Sequence, residues 1–222
     1  MMFHVKHIFL LVFAIPSLSM AQGNFTLNDI PFEVKVSRDQ AVQSHVDKEL
    51  SKAGLSSGEK EFFYWVNYMR TNPSRFYTEC VVPFLKQFPE ANGKEAKSLE
   101  KDLYASAKLG LLSFSLAASD AAKLHCADLA LKQNGIGHNS SDGKNFSTRM
   151  RLAGITKCAA ENIYTGKNEP LLSLIMLLLD LGLEVPGHRK NLLTPWFGQM
   201  GVSIQTHRSM NRVVLVQVFS CS

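Results

Sequence analysis

The run LLSLIMLLL at 171–179 constrains this chain more than any other stretch, because it is apolar on nearly every face yet ends at Asp180. A membrane-spanning helix needs about 20 such residues, so the run is too short to cross a bilayer. A short helix without a polar face must instead be covered on several sides, which places it between layers of a folded domain. Its limits are also legible. Asn168, Glu169 and Pro170 supply a cap, an acid and a first-turn proline, and Gly182 closes the helix they open.

The rest of the composition fits one domain around such a helix. With 45% hydrophobic and 19% charged residues, the 222-residue chain is too apolar to be disordered, and no segment recurs at a fixed period. Lys and Arg number 24 against 19 Asp and Glu, but the excess is scattered and forms no basic run, so no nucleic-acid partner is expected.

The first 21 residues stand apart. Lys6 precedes an unbroken apolar run at 8–15, Pro16 breaks it, and Ser19, Met20 and Ala21 give a small-residue cleavage pattern. This is the form of a secretory signal peptide cut after Ala21, so the mature protein is expected to be secreted or periplasmic and not membrane-spanning. Residues 22–57 read as a polar lead-in, and 58–222 as the domain proper.

Export makes the cysteines informative. Cys80, Cys126, Cys158 and Cys221 are even in number and contain no CxxC pair, so two disulfides are expected in an oxidising compartment. Three pairings are possible. Cys80 with Cys126 and Cys158 with Cys221 is favoured, because the first two lie on helical segments and the others on strand-like ones.

Helices and strands follow from pattern. Ser56 and Glu59 form a capping box ahead of Phe62, Val66 and Met69 at helical spacing. A second helix is expected over 116–134, where Ala117, Ala121 and Leu124, then Ala127 and Leu131, form an apolar stripe. The stretch GIGHNSSDGKN at 135–145 is too polar for core and too rich in Gly for regular structure. A short helix follows at 146–152 and a strand at 159–165. Alternation through Met200, Val202 and Ile204, a polar turn at 207–212 and VVLVQVF at 213–219 predict an antiparallel hairpin, with His207 at the surface. Helices before and among strands imply α+β architecture: a small antiparallel sheet covered by helices on both faces.

Three segments combine ionisable groups with chain-bending residues: His138 in GHN, Glu161 in AAEN, and Asp180 to His188 in DLGLEVPGHRKN. Singly, each reads as a loop or cap residue. Together they hold the inventory of a divalent-metal site or an acid/base cluster.

These same segments carry a family resemblance. GHNSSDGKNFSTRMRLAG, AAENIYTG and DLGLEVPGHRKNLL, in that order, resemble the CAP superfamily of cysteine-rich secretory, antigen 5 and pathogenesis-related 1 proteins, and most of all its bacterial branch. VNYMRTNPSRF at 66–76, SLAASDAAKLHCADLALKQNG at 115–135 and MGVSIQTH at 200–207 extend the likeness. The resemblance implies a three-layer α-β-α sandwich whose cleft holds a tetrad of His138, Glu161, Asp180 and His188, with Glu184 the alternative to Asp180. Asn162 and Arg189 would orient the tetrad from behind, and His138, His188 and Glu161 would be the ligands of Zn²⁺ or another divalent cation. The chain departs from the family pattern at Ala160, Leu181 and Pro186, and Leu181 lowers the local negative charge.

Two functions stay open at this level. One is a non-catalytic module that binds a lipid, glycan, peptide or protein; the other is a metal-dependent peptidase or esterase. No GxSxG elbow and no HExxH are present, which favours the binding module.

Overall fold

The computed structural model describes residues 30–132 and 135–221, so the proposed signal peptide lies outside the described residues. Two helices open the described chain, α1 (Gln40–Leu50), capped by Asp39, and α2 (Ser57–Thr71). The predicted capping box is in place: Ser56 Oγ accepts from the Glu59 N–H, and Glu59 accepts in return from the Ser56 N–H. After Asn72 the chain turns into α3 (Pro73–Phe76), a single wide turn at Tyr77–Val81 and α4 (Val82–Gln87). Helix α5 (Lys94–Ala105) is an element that sequence reasoning misses; its Ala96, Leu99 and Leu103 are buried at helical spacing.

Among the described residues the sheet has four strands: β1 (Ser113–Phe114), β2 (Ala159–Gly166), β3 (Gln199–Thr206) and β4 (Val213–Ser220), in the order β1-β3-β4-β2. The β3–β4 hairpin is antiparallel as predicted, and β2 pairs antiparallel with β4, Glu161 opposite Val218. The two-residue β1 runs parallel to its neighbour, which makes the sheet mixed at that edge. All eight residues of β4 are buried, as a central strand covered on both faces requires, and this accounts for its nearly unbroken apolar sequence.

Alternation divides the covering helices between the two faces. Met200, Val202, Leu215 and Phe219 face a large core built with α1 to α5 and α8 (Pro170–Leu179). Val214, Val216, Val218 and Ile163 face a smaller core built with α6 (Leu116–Leu131) and α7 (Phe146–Leu152). Helix α8 has the buried setting its sequence demands: Leu172 through Ile175 and Leu177 through Leu179 are all buried. It ends at Asp180, which adopts a left-handed conformation, φ 52°, tolerated by a short polar side chain. The last described helix, α9 (Gly187–Leu192), follows after a short turn.

Helix α6 corrects the predicted stripe. Its core face is Ala118, Ala121, Ala122, Cys126 and Leu129, so Ala121 of that stripe is buried, whereas Leu124 and Leu131 are exposed, as is Leu116. Gly201 shows why small residues face the sheet: a Cβ placed there would lie 2.0 Å from the Ser119 backbone nitrogen. Bulky side chains cannot enter so close a contact, and they turn outward.

The disulfide expectation holds for one pair. Cys158 and Cys221 are bonded, tying the start of β2 to the end of β4. Cys80 and Cys126 are not; both are buried free thiols, one in each of the two cores, with the sheet between them. Both do sit on helical segments, but those segments cover opposite faces of the sheet, which is why the expected bridge cannot form.

Candidate functional site

Glu161 stands on the edge strand β2, on the face turned toward α6 and α7, with its side chain only 1% exposed. Such a carboxylate must be fully paired. Arg149 of α7 binds both of its oxygens, Nη1 to Oε2 and Nη2 to Oε1, each at 2.8 Å. His138 Nδ1 adds a third bond to Oε1 at 2.9 Å. Burial raises the Glu161 pKa, but the bonds from His138 and Arg149 and the Arg149 charge outweigh it, and the carboxyl is held below its ordinary value.

His125 lies beneath this group. Its Nε2 is 2.9 Å from the Gly137 carbonyl and 4.0 Å from Glu161 Oε1. A carbonyl can only accept, so Nε2 carries the proton and Nδ1 accepts from the Ser140 hydroxyl at 3.2 Å. Burial pushes the His125 pKa down, which keeps the ring neutral at pH 7. The loop is further pinned where the Ser141 N–H donates to Asp128 at 2.7 Å.

The other two tetrad residues form a second pair. Asp180, also 1% exposed at its side chain, accepts from His188 Nδ1 at 2.5 Å and from the Arg189 N–H at 2.9 Å. Asp180 thus occupies the position for which Glu184 was the alternative. Asn162 joins the pairs across β2: its amide donates to the His188 carbonyl and to Gln217, while its oxygen accepts from Asn191, whose amide also reaches the Glu161 carbonyl. The Arg189 guanidinium does not face the imidazoles. It closes the end of α8 through the Leu178 carbonyl and ties it to α5 through Ser98 and Asp102.

The four predicted residues therefore come together as two pairs flanking β2, each an imidazole over a buried carboxylate. His138 is 42% exposed at its side chain and His188 20%. In each ring Nδ1 faces the carboxylate, which leaves Nε2 outside these two bonds. The ligand set implied for a cation does not fit this arrangement. Glu161 is already ion-paired with a guanidinium and bonded to an imidazole, and among the described residues no group of three or more His, Cys, Asp or Glu could hold a metal ion.

Sequence reasoning misses Arg149, His125 and Ser140 as members of this network. Arg149 sits inside a matched motif, but nothing in its spacing says that it turns back onto Glu161. His207 is the converse case. It is buried, not at the surface, and its Nδ1 accepts from the Ser209 and Met210 N–H groups to hold the hairpin turn.

The family model described as CAP, cysteine-rich secretory protein family, matches residues 63–219, which include the tetrad, β1 to β3 and β4 up to Phe219. The chain belongs to the CAP family. Among solved structures, the CAP domain is similar to an extracellular protein containing an SCP domain from Bacillus anthracis str. Ames. That similarity is at 20% identity and TM-score 0.47, over 74% of this chain and 40% of that one. It is also similar to an outer surface protein from Borrelia burgdorferi, at 18% identity and TM-score 0.44, over 56% of this chain and 84% of that one. The chain thus spans well under half of the Bacillus anthracis protein. No curated protein sequence matches. Among the described residues of this CAP domain, no helix is long and apolar enough to cross a membrane.

Proposed function

We propose that this CAP domain is an extracellular, non-catalytic binding module whose His138–Glu161 and His188–Asp180 pairs form a rigid polar framework for a ligand. The observation that carries the reading is the state of Glu161. Both of its oxygens are bound by the Arg149 guanidinium, and Oε1 also by His138, so the carboxylate is buried and ion-paired rather than poised as a free base or cation ligand. An extracellular setting is supported by the signal-like sequence at 1–21 and by the Cys158–Cys221 disulfide. A divalent cation is not part of the proposal.

One contact favours a hydrolase as the second reading, the Ser140 hydroxyl on His125 Nδ1. The remainder of an acyl-transfer site does not follow from it, since the other nitrogen of His125 is spent on the Gly137 carbonyl and not on a carboxylate. The test is turnover of short- and long-chain ester and peptide panels by the disulfide-bonded protein. No hydrolysis above the uncatalysed rate is expected. Saturable turnover that Ser140→Ala abolishes, with circular dichroism unchanged, would replace the binding reading with the hydrolase.

A further inference from the structure

The chain ahead of α1 is not patterned like a loop. Phe32 is buried and Val34 and Val36 are half-buried against the large core, whereas Glu33, Lys35 and Ser37 between and after them are exposed. A burial period of two is that of an extended strand laid with one face on the domain. Both ends of this strap are fastened. The Phe32 ring meets Phe84 edge-on with centroids 5.5 Å apart, and the Phe32 N–H donates to Glu169 at the start of α8. Arg38 is ion-paired with Glu61 and lies over the Tyr64 ring at 3.9 Å, and the Asp39 N–H donates to the Tyr64 hydroxyl.

Between these anchors the backbone is unpaired. Among the described residues, no backbone N–H or C=O from Glu33 through Arg38 makes a hydrogen bond, and neither the Glu33 nor the Lys35 side chain has an ion-pair partner. An extended segment with free edge groups is a template for a further strand. Because the anchors already order the strap, pairing would cost it little more conformational entropy. It also lies on the surface and not in a trench, since Val34 and Val36 keep part of their exposure.

Charge selects the strand that fits. An antiparallel strand of the same sequence, placed with Val34 opposite Val34, sets Glu33 of each copy across from Lys35 of the other. The two nearest registers that keep the same faces together set Glu33 against Glu33 or Lys35 against Lys35. Opposite charges directly across a strand pair stabilise it, and like charges destabilise it. The strap is thus complementary to itself about a two-fold axis, as an isologous interface requires.

We infer that the strap at 32–36 is a self-association surface, through which two copies of the chain join antiparallel about Val34. Glu33 of one copy and Lys35 of the other exchange backbone hydrogen bonds and pair their side chains. The strap precedes residues 63–219, so this surface lies outside the stretch that the family model matches.

Sedimentation velocity on the full disulfide-bonded protein, from about 10 μM to about 1 mM, tests it. A monomer–dimer equilibrium that weakens with added salt is expected. Glu33→Lys and Lys35→Glu, each of which sets like charges across both pairs, should weaken dimerisation at least about tenfold. An equimolar mixture of these two variants should associate again, because one strap is then basic at both positions and the other acidic. The double variant Glu33→Lys/Lys35→Glu should dimerise like wild type, and it controls for any effect on folding. Hydrogen exchange at the Glu33 and Lys35 amides should slow as protein concentration rises. A wild type that stays monomeric throughout, single variants that dimerise as well as wild type, or no recovery in the mixture and the double variant would each overturn the inference. A dimer whose Glu33 and Lys35 amides exchange as fast as in the monomer would place the contact on another surface and overturn it as well.

Discussion

Arg149 and Glu161 are the most consequential pair of side chains in the domain, because both are buried and the guanidinium binds both oxygens of the carboxylate. Removing one partner of such a pair leaves an uncompensated charge, which costs about 3–5 kcal/mol. Glu161→Gln should therefore be less stable than wild type at pH 7 by roughly that amount, measured by urea denaturation. Its pH dependence should change as well. The Glu161 pKa is depressed on folding, so its contribution is present above the unfolded carboxyl pKa and is lost as pH falls through the folded value. The His125 pKa is depressed too, by burial, and a neutral buried imidazole makes the unfolded state bind more protons as pH falls. Both effects have the same sign. Wild-type stability should begin to fall below about pH 6.5 and fall further below about pH 4.5, and Glu161→Gln should lose the lower of these two limbs. A wild-type stability that rises between about pH 6.5 and about pH 4 would contradict the protonation states assigned to both residues.

Individual elements show which features of a sequence predict packing and which do not. Helix α8, the β3–β4 hairpin, α7 and the Ser56 cap are readable because each rests on local physics: a helix with no polar face, strict alternation, a short run closed by Gly154, a side chain bonding to its own helix. Helix α6 is readable as a helix but not in orientation. Hydrophobicity marks Leu124 and Leu131 as core, whereas the distance between helix and sheet decides in favour of alanines, and that distance is set by Gly201 on a strand remote in sequence. The candidate site shows the same limit. His138, Glu161, Asp180 and His188 are legible through ordered motifs, but their division into two pairs depends on which face of β2 each approaches. Gly201→Ala tests the spacing argument. Its new methyl would sit 2.0 Å from Ser119 N and 2.3 Å from the Ala118 carbonyl carbon, both backbone atoms that cannot rotate away. A loss of about 3 kcal/mol or more is expected in urea denaturation. A loss under about 1 kcal/mol would mean that α6 can lift off the sheet freely.

Across the whole molecule, the sheet separates two cores that differ in size, and the Cys158–Cys221 disulfide secures its outer edge. Strand β2 has β4 on one side only, and it carries Glu161 and Asn162 on opposite faces, so both halves of the polar framework depend on its register. Cys158–Cys221 fixes that register from the strand's first residues, with the Cys221 N–H also bonded to the Cys158 carbonyl at 3.3 Å. The bridge spans 63 residues of sequence, a loop long enough for the chain-entropy argument to assign it about 4 kcal/mol. Cys80 and Cys126 contribute nothing comparable. They are packing groups whose burial pushes each thiol pKa up to about 12, which leaves almost no thiolate at neutral pH. The unreduced protein should therefore weigh two hydrogens less than the reduced chain, not four. Iodoacetamide should leave it unlabelled when native and add two groups when it is unfolded without reductant. Reduction should lower stability by about 2–4 kcal/mol, and its first local consequence should be hydrogen exchange at the β2 amides paired with β4. If those amides stay as protected as the β3–β4 hairpin after reduction, β2 is held by its pairing with β4 and by the helices packed on it, and the disulfide is incidental to the framework it borders.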